Sequence, residues 1–215
     1  GSTVCFVMGR FSTNGVAGVS NDVVNNFTYG NEASIMKYQK ITNTVRAGVD
    51  TDGQYGSVMP PLYLSSNFSF EGLGVKREYD YSRSGNPTRD VLAKAITRLE
   101  GGHGTVVTNT GMSAVALVTQ LLKSDDTLIA PHNCYGGCYR AFSALADAGR
   151  FNTQFADFTD TDALRQTCLR HRPKIIWVET PSNPLLRVTD IRAISRLARE
   201  FGALSGRAET LRRMR

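Results

Sequence analysis

From Pro87 onward, apolar residues recur with two different periods that take turns along the chain, and that alternation restricts the fold more than any other feature of the sequence. Pro87, suited to a first helical turn, precedes Leu92, Ala95, Ile96 and Leu99 at i, i+3, i+4 and i+7, and Gly101-Gly102 supplies a stop. Beyond it, 105–108 reads as strand, 112–123 as helix, 127–130 as strand, 138–148 as helix, 152–155 as strand, 160–170 as helix, 174–179 as strand and 190–201 as helix. The run Ile175-Ile176-Trp177-Val178 has no polar alternation, as expected of a strand buried on both faces. Strand and helix in turn predict an α/β fold, a parallel sheet with helices on both faces. In such sheets ligands bind beyond the carboxyl ends of the strands.

Composition narrows the class. At 215 residues and 41% hydrophobic content the chain suits one domain or one and a half with a sizeable core. No apolar run approaches the roughly 18 residues that span a bilayer, and the N-terminus lacks a basic start with a small-residue cleavage pattern. A cytoplasmic protein with no membrane partner is expected. Cys5, Cys134, Cys138 and Cys168 are too few and too scattered for a disulfide framework, and with only three histidines no metal site is expected. The net charge of +6 sits mostly in one late segment, where eight arginines between Arg187 and Arg215 face only Asp190, Glu200 and Glu209. Without a recognition motif or interleaved aromatics, that charge reads as a solvated helix face and a basic tail, and no nucleic-acid partner is expected.

Four short segments could carry chemistry. Thr110-Gly111-Met112 follows a predicted strand and opens a predicted helix, where free N–H groups and the helix dipole attract an anion. Glycine lets a phosphate approach the backbone, and Thr110 and Ser113 add hydroxyls; the same junction also reads as a plain tight turn. Tyr81 and Arg83 lie in the loop Asp80-Tyr81-Ser82-Arg83-Ser84-Gly85-Asn86, as a guanidinium fork with a phenol beside it, or simply as surface residues. Tyr135 stands between Cys134 and Gly136-Gly137 after a predicted strand, where its ring suits a flat heteroaromatic ligand or packs on the core. Asn183, in Glu179-Thr180-Pro181-Ser182-Asn183-Pro184, follows a buried strand directly and otherwise reads as a turn residue. Cys134 and Cys138, four apart, read as packing residues rather than ligands.

In this order and at these positions the four segments resemble the cofactor-binding motifs of the γ-family of pyridoxal-phosphate enzymes, which handle cysteine, homocysteine and homoserine esters. The resemblance runs from about Ile41 to Ser205. It implies the three-layer, parallel-type sheet of the aspartate-aminotransferase-like (fold type I) pyridoxal-phosphate enzymes, incomplete at the C-terminus. It also implies pyridoxal 5′-phosphate as cofactor. Thr110, Gly111 and Met112 would hold the phosphate, with Tyr81 and Arg83 reaching across a dimer interface to a neighbouring subunit's phosphate. Tyr135 would stack on the ring and assist proton transfer, and Asn183 would hydrogen-bond the phenolic oxygen. The implied partners are small amino-acid substrates, O-succinylhomoserine and cysteine, and further copies of the chain in a dimer of dimers. The segments 80–84 and 108–113 look more like a γ-replacing synthase than like the lyases of the family.

The resemblance also implies a division of the chain: 1–35 an extra N-terminal segment with Met36 as natural start, 36–86 an arm contributing to the neighbouring subunit's site, 87–205 a partial cofactor-binding domain, and 206–215 an aberrant basic tail without strand character. In the family an aspartate for the ring nitrogen and a Ser-x-Thr-Lys segment with the covalent lysine follow. Lys37, Lys40, Lys76, Lys94, Lys123 and Lys174 are the lysines here, and none stands in that context. The chain is therefore expected to be a truncated form with no γ-replacement activity of its own. A non-catalytic fragment that pairs with full-length subunits is the alternative.

Overall fold

The computed structural model describes residues 5–7, 40–49, 52–100 and 104–208. They divide into two compact units, one comprising Gly1–Val19 with Thr108–Arg215 and the other Ser20–Val107. In chain order the elements are β1 (Cys5–Val7), α1 (Lys40–Val45), α2 (Pro87–Glu100), β2 (Val106–Thr108), α3 (Gly111–Thr119), β3 (Thr127–Pro131), α4 (Gly136–Asp147), β4 (Asn152–Ala156), α5 (Thr161–His171), β5 (Ile175–Glu179), α6 (Ile191–Glu200) and β6 (Leu204–Ala208). The proposed start at Met36 lies outside the described residues, as does the helix stop at Gly101-Gly102.

The larger unit is the predicted α/β sandwich. Its sheet has four parallel strands in the order β4-β3-β5-β6, with Leu128 opposite Ile175 and Ile129 opposite Ile176 at the central pair. Side chains alternate across it with period two. Leu128, Ala130, Ile175 and Trp177 face one side, packed with Val115 and Val118 of α3 and Cys138 and Phe142 of α4. Ile129, Ile176 and Val178 face the other, packed with Leu164 and Cys168 of α5 and Ile194, Leu197 and Ala198 of α6. Two cores on one sheet make three layers, and they explain why β3 and β5 read as unbroken apolar runs.

Element ends follow local chemistry. Asp160 and Asp190 fall just outside their helices because each acts as N-cap: Asp160 Oδ1 accepts from the N–H groups of Asp162 and Ala163, and Asp190 Oδ1 from those of Arg192 and Ala193. The helix expected over 112–123 ends at Thr119, because Gln120, Leu121 and Leu122 donate to carbonyls three residues back and tighten the last turn. Leu122 is buried all the same, so its apolar signal came from the core rather than from the helix. α4 closes on Gly149, whose φ of +70° lets Arg150 N–H return to Leu145 O at 2.9 Å.

The end of the sheet corrects the sequence reading. Gly206, Arg207 and Ala208 continue β6 as strand, in register with Trp177, Val178 and Glu179. A parallel ladder needs only backbone donors and acceptors, so an irregular side-chain pattern does not prevent it. Gly206 also suits the place, since a Cβ there would come within 3.3 Å of the Trp177 ring. Residues 209–215 lie outside the described part. In the segment 1–35, β1 is a short strand.

The described residues of the smaller unit are mostly loop. α2 spans Pro87–Glu100 as its periodicity predicts, yet none of its residues is buried, and Leu92 is 39% exposed. Among the described residues no helix is long and apolar enough to cross a membrane.

Cys134, Cys138 and Cys168 are buried and free. Burial, with the charge of Glu179 second, pushes the Cys134 thiol up to about 11. Burial, then Cys134 and Glu179, pushes Cys138 up to about 12. Both pack in the core, as the spacing argument held. Phe142 is fully buried and meets Trp177 edge to face at 5.5 Å. Phe142→Ala should cost about 3–5 kcal/mol of folding stability, measured by urea titration; a loss under about 1 kcal/mol would contradict this packing.

Candidate functional site

The order of the sheet selects one end of two strands. The connection from β3 goes outward to β4 through α4, whereas β5 returns to the other side of β3 and proceeds through α6 to β6. The direction of winding reverses between β3 and β5. A crevice opens at such a switch point beyond the carboxyl ends, and loops from both strands line it. Those loops are 132–135 after β3 and 180–190 after β5, so Tyr135 and Asn183 come to the same end of the sheet for a topological reason.

Hydrogen bonds join the two loops directly. Tyr135 N–H donates to both carboxylate oxygens of Glu179, at 3.0 and 2.9 Å. Asn183 N–H donates to Glu179 Oε1 at 3.0 Å. Asn133 Nδ2 donates to Ser182 Oγ at 3.0 Å, and that hydroxyl also accepts from Arg187 N–H. Ser182 and Glu179 are both buried. Around this polar knot the side chains of Tyr135 and Asn183 stay available: Tyr135 is 43% exposed, and neither its hydroxyl nor the Asn183 amide bonds to a described residue.

The start of α3 belongs to the same unit. Thr110 is its N-cap, with Oγ1 accepting from Ser113 N–H at 3.0 Å. Ser113 Oγ donates to Asn109 Oδ1 at 2.9 Å and lies 2.9 Å from Thr110 Oγ1, so the two hydroxyls expected to serve an anion are engaged with each other. What remains for an anion are the N–H groups of Gly111 and Met112, which have no carbonyl one turn earlier, since Ser113 N–H is taken by Thr110 Oγ1. Met112 ties this turn to Tyr135. A Cβ placed on Gly137 would lie 2.5 Å from Tyr135 Cε1 and 3.1 Å from Met112 Sδ, so the ring and the thioether close over Gly137 and one of them must shift to admit a side chain there. Met112, Tyr135 and Asn183 are thereby brought together, with Thr110 and Gly111 on the same helix start.

Tyr81 and Arg83 lie in the smaller unit, on a loop whose other polar residues hold it in shape. Asp80 accepts from Lys76 Nζ at 2.6 Å, Tyr81 N–H at 2.7 Å and Ser84 Oγ at 3.0 Å. Those three contacts hold its carboxyl below the usual range, the Lys76 bond most of all. Asn86 Nδ2 reaches Ser82 Oγ at 2.9 Å and Arg89 Nη1 reaches Ser82 O at 3.1 Å. Tyr81 and Arg83 project outward as a pair: Arg83 Nη2 donates to Tyr81 Oη at 2.8 Å, with the guanidinium carbon 5.1 Å from the ring centre. A planar cation and a phenol side by side on an exposed loop form a ready anion clamp.

Glu179 is the residue that sequence reasoning passed over. A signal was available, since a carboxylate closing a fully apolar strand must find partners inside the protein.

Comparison with known proteins identifies the family of the chain. The family model described as "Cys/Met metabolism PLP-dependent enzyme" matches residues 41–206. The chain is 54% identical over 171 residues to cystathionine gamma-synthase of Escherichia coli (strain K12), which covers 79% of this chain and 44% of that protein. It is 36% identical over 164 residues to cystathionine beta-lyase of Lactococcus lactis subsp. cremoris (strain MG1363), covering 76% of this chain and 43% of the lyase. The crystal structure of cystathionine gamma synthase from Xanthomonas oryzae pv. oryzae in complex with cystathionine superposes with a TM-score of 0.74 at 52% identity, covering 78% of this chain and 43% of that one. The chain thus spans less than half the length of these relatives.

Gly137→Ala should displace the Tyr135 ring and cost about 1–3 kcal/mol as overpacking. NMR would show shifted Tyr135 ring resonances with those of Phe142 and Trp177 in place; an unmoved Tyr135 ring would contradict the close approach.

Proposed function

The chain belongs to the pyridoxal-phosphate-dependent enzymes of cysteine and methionine metabolism, and we propose that it carries the cofactor-holding part of a cystathionine γ-synthase. The reaction is γ-replacement on an O-acylhomoserine ester, O-succinylhomoserine, by cysteine to give cystathionine, a transsulfuration step of methionine biosynthesis in the cytoplasm. The observation that carries this reading is the joining of Tyr135 and Asn183 through Glu179 at the crevice of β3 and β5. Higher identity to the E. coli synthase than to the L. lactis lyase favours formation of cystathionine over its cleavage.

The groups present fit pyridoxal 5′-phosphate. Its phosphate dianion suits the first turn of α3 at Thr110, Gly111 and Met112. Its aromatic ring suits the exposed face of Tyr135, and its phenolic oxygen suits the Asn183 amide, which has no other partner among the described residues. When bound, the cofactor supplies an electron sink for charge developing at the substrate α-carbon. The chain's own part is to bind and orient. Tyr135 would hold the ring by stacking and offers a hydroxyl that can move a proton, and the α3 turn would hold the dianion with no side-chain cation from its own copy of the chain. Tyr81 and Arg83 serve the phosphate of a second copy. Exposed Leu62, Leu64 and Leu73 in the same unit are apolar surface that a subunit interface would cover, which favours an oligomer, here proposed as a dimer of dimers.

No lysine in these 215 residues stands in a Ser-x-Thr-Lys segment, so the chain by itself should form no cystathionine. A chimaera in which residues 41–206 replace the corresponding stretch of the E. coli synthase should form cystathionine from O-succinylhomoserine and cysteine within about tenfold of the parent rate, a change of about 1.4 kcal/mol in the barrier. Cleavage of cystathionine in place of its formation, or a folded chimaera without turnover, would overturn the reading.

A further inference from the structure

Glu179 ends β5 at 1% exposure, and no cation pairs with it among the described residues. A carboxylate taken out of water in this way is tolerated only if its lone pairs are filled by donors. The donors here are three backbone bonds from two residues 48 positions apart: Tyr135 N–H to both oxygens and Asn183 N–H to Oε1. Tyr135 is also the N-cap of α4, so the carboxylate sits at the positive end of that helix. One charged side chain thus fixes the backbone from which the ring-facing phenol projects and the backbone from which the free amide projects.

We propose that Glu179 is a positioning residue that sets Tyr135 and Asn183 relative to one another, so that a single buried carboxylate fixes both the stacking and the hydrogen-bonding element of the crevice. What that pair holds rests on the cofactor reading above; that Glu179 holds the pair does not. The Asn133 to Ser182 bond joins the same two loops but reaches neither backbone amide, so it cannot substitute for the carboxylate.

The chemistry distinguishes this role from mere filling of space. Glutamine has the shape of glutamate, and its carbonyl oxygen can retain the two bonds to Oε1. Its amide nitrogen would then face the Tyr135 N–H donor instead of an acceptor. If Glu179 only packed against its neighbours, Glu179→Gln would be silent.

The test is amide hydrogen exchange and amide proton shifts by NMR on the whole 215-residue chain without cofactor, for wild type, Glu179→Gln and Glu179→Ala. Glu179→Gln should speed exchange of the Tyr135 amide about tenfold and move its proton upfield, while Ile129 and Ile176 in the sheet keep their protection. Glu179→Ala should do so for Tyr135 and Asn183 together; should that variant not fold, Glu179→Gln alone decides. Wild-type exchange and shifts at Tyr135 in Glu179→Gln would overturn the proposal. Titration of the wild-type chain with pyridoxal phosphate is read separately. Failure to bind would remove the cofactor reading and leave the exchange result to decide the role of Glu179.

Discussion

β3 and β5 pair in parallel although the chain leaves them toward opposite edges of the sheet, and the site follows from that pairing. Leu128 opposite Ile175 and Ile129 opposite Ile176 set the register, and the register brings the loops after Pro131 and Glu179 to the same end. Hydrophobic burial on both faces holds the pair, with Phe142 and Trp177 on one side and Leu164 and Ile194 on the other. That burial is non-directional, however, and would tolerate loops in many poses. Direction comes from the polar knot at the strand ends. Glu179 and Ser182 accept from Tyr135, Asn183, Asn133 and Arg187, which turns a packed sheet end into a surface of defined shape.

The polar residues near this surface fall into two roles. Asn133, Glu179 and Ser182 spend their hydrogen-bonding capacity on the backbone and on each other. Tyr135 and Asn183 keep theirs, on side chains held from behind. The loop of Tyr81 and Arg83 is built on the same plan in its own unit, where Asp80, Ser84, Asn86 and Arg89 staple the backbone and leave the phenol and the guanidinium outward. A preorganised group loses little freedom when a ligand arrives, so side chains presented in this manner bind more tightly than the same residues on a slack loop.

Much of this was legible in the sequence because it is local. Strand and helix alternation gave the three layers, and the helices expected from 160 and 190 start one residue later, at Thr161 and Ile191. Gly111 after a strand and Tyr135 before two glycines mark the starts of α3 and α4. Non-local features were not legible. Glu179 reads in the chain only as a carboxylate that closes an apolar strand and needs partners, and which partners it has follows from the convergence of residues 135 and 183 on it. β6 extends through Gly206 and Arg207 because a neighbouring strand offers a ladder, which no side-chain pattern records. α2 shows a strong helical period and is nonetheless left half-exposed, since periodicity reports a face fit for burial without saying what covers it.

The most direct test of the account is to map pyridoxal phosphate onto the isotope-labelled 215-residue chain by NMR titration, following backbone amides. If the crevice between β3 and β5 is the cofactor site, saturable shifts will concentrate at Gly111, Met112 and Ser113, at Tyr135 to Gly137, and at Ser182 and Asn183, while α5 and α6 remain still. Shifts scattered over exposed lysines, with the amides of Gly111, Tyr135 and Asn183 unmoved, would contradict it.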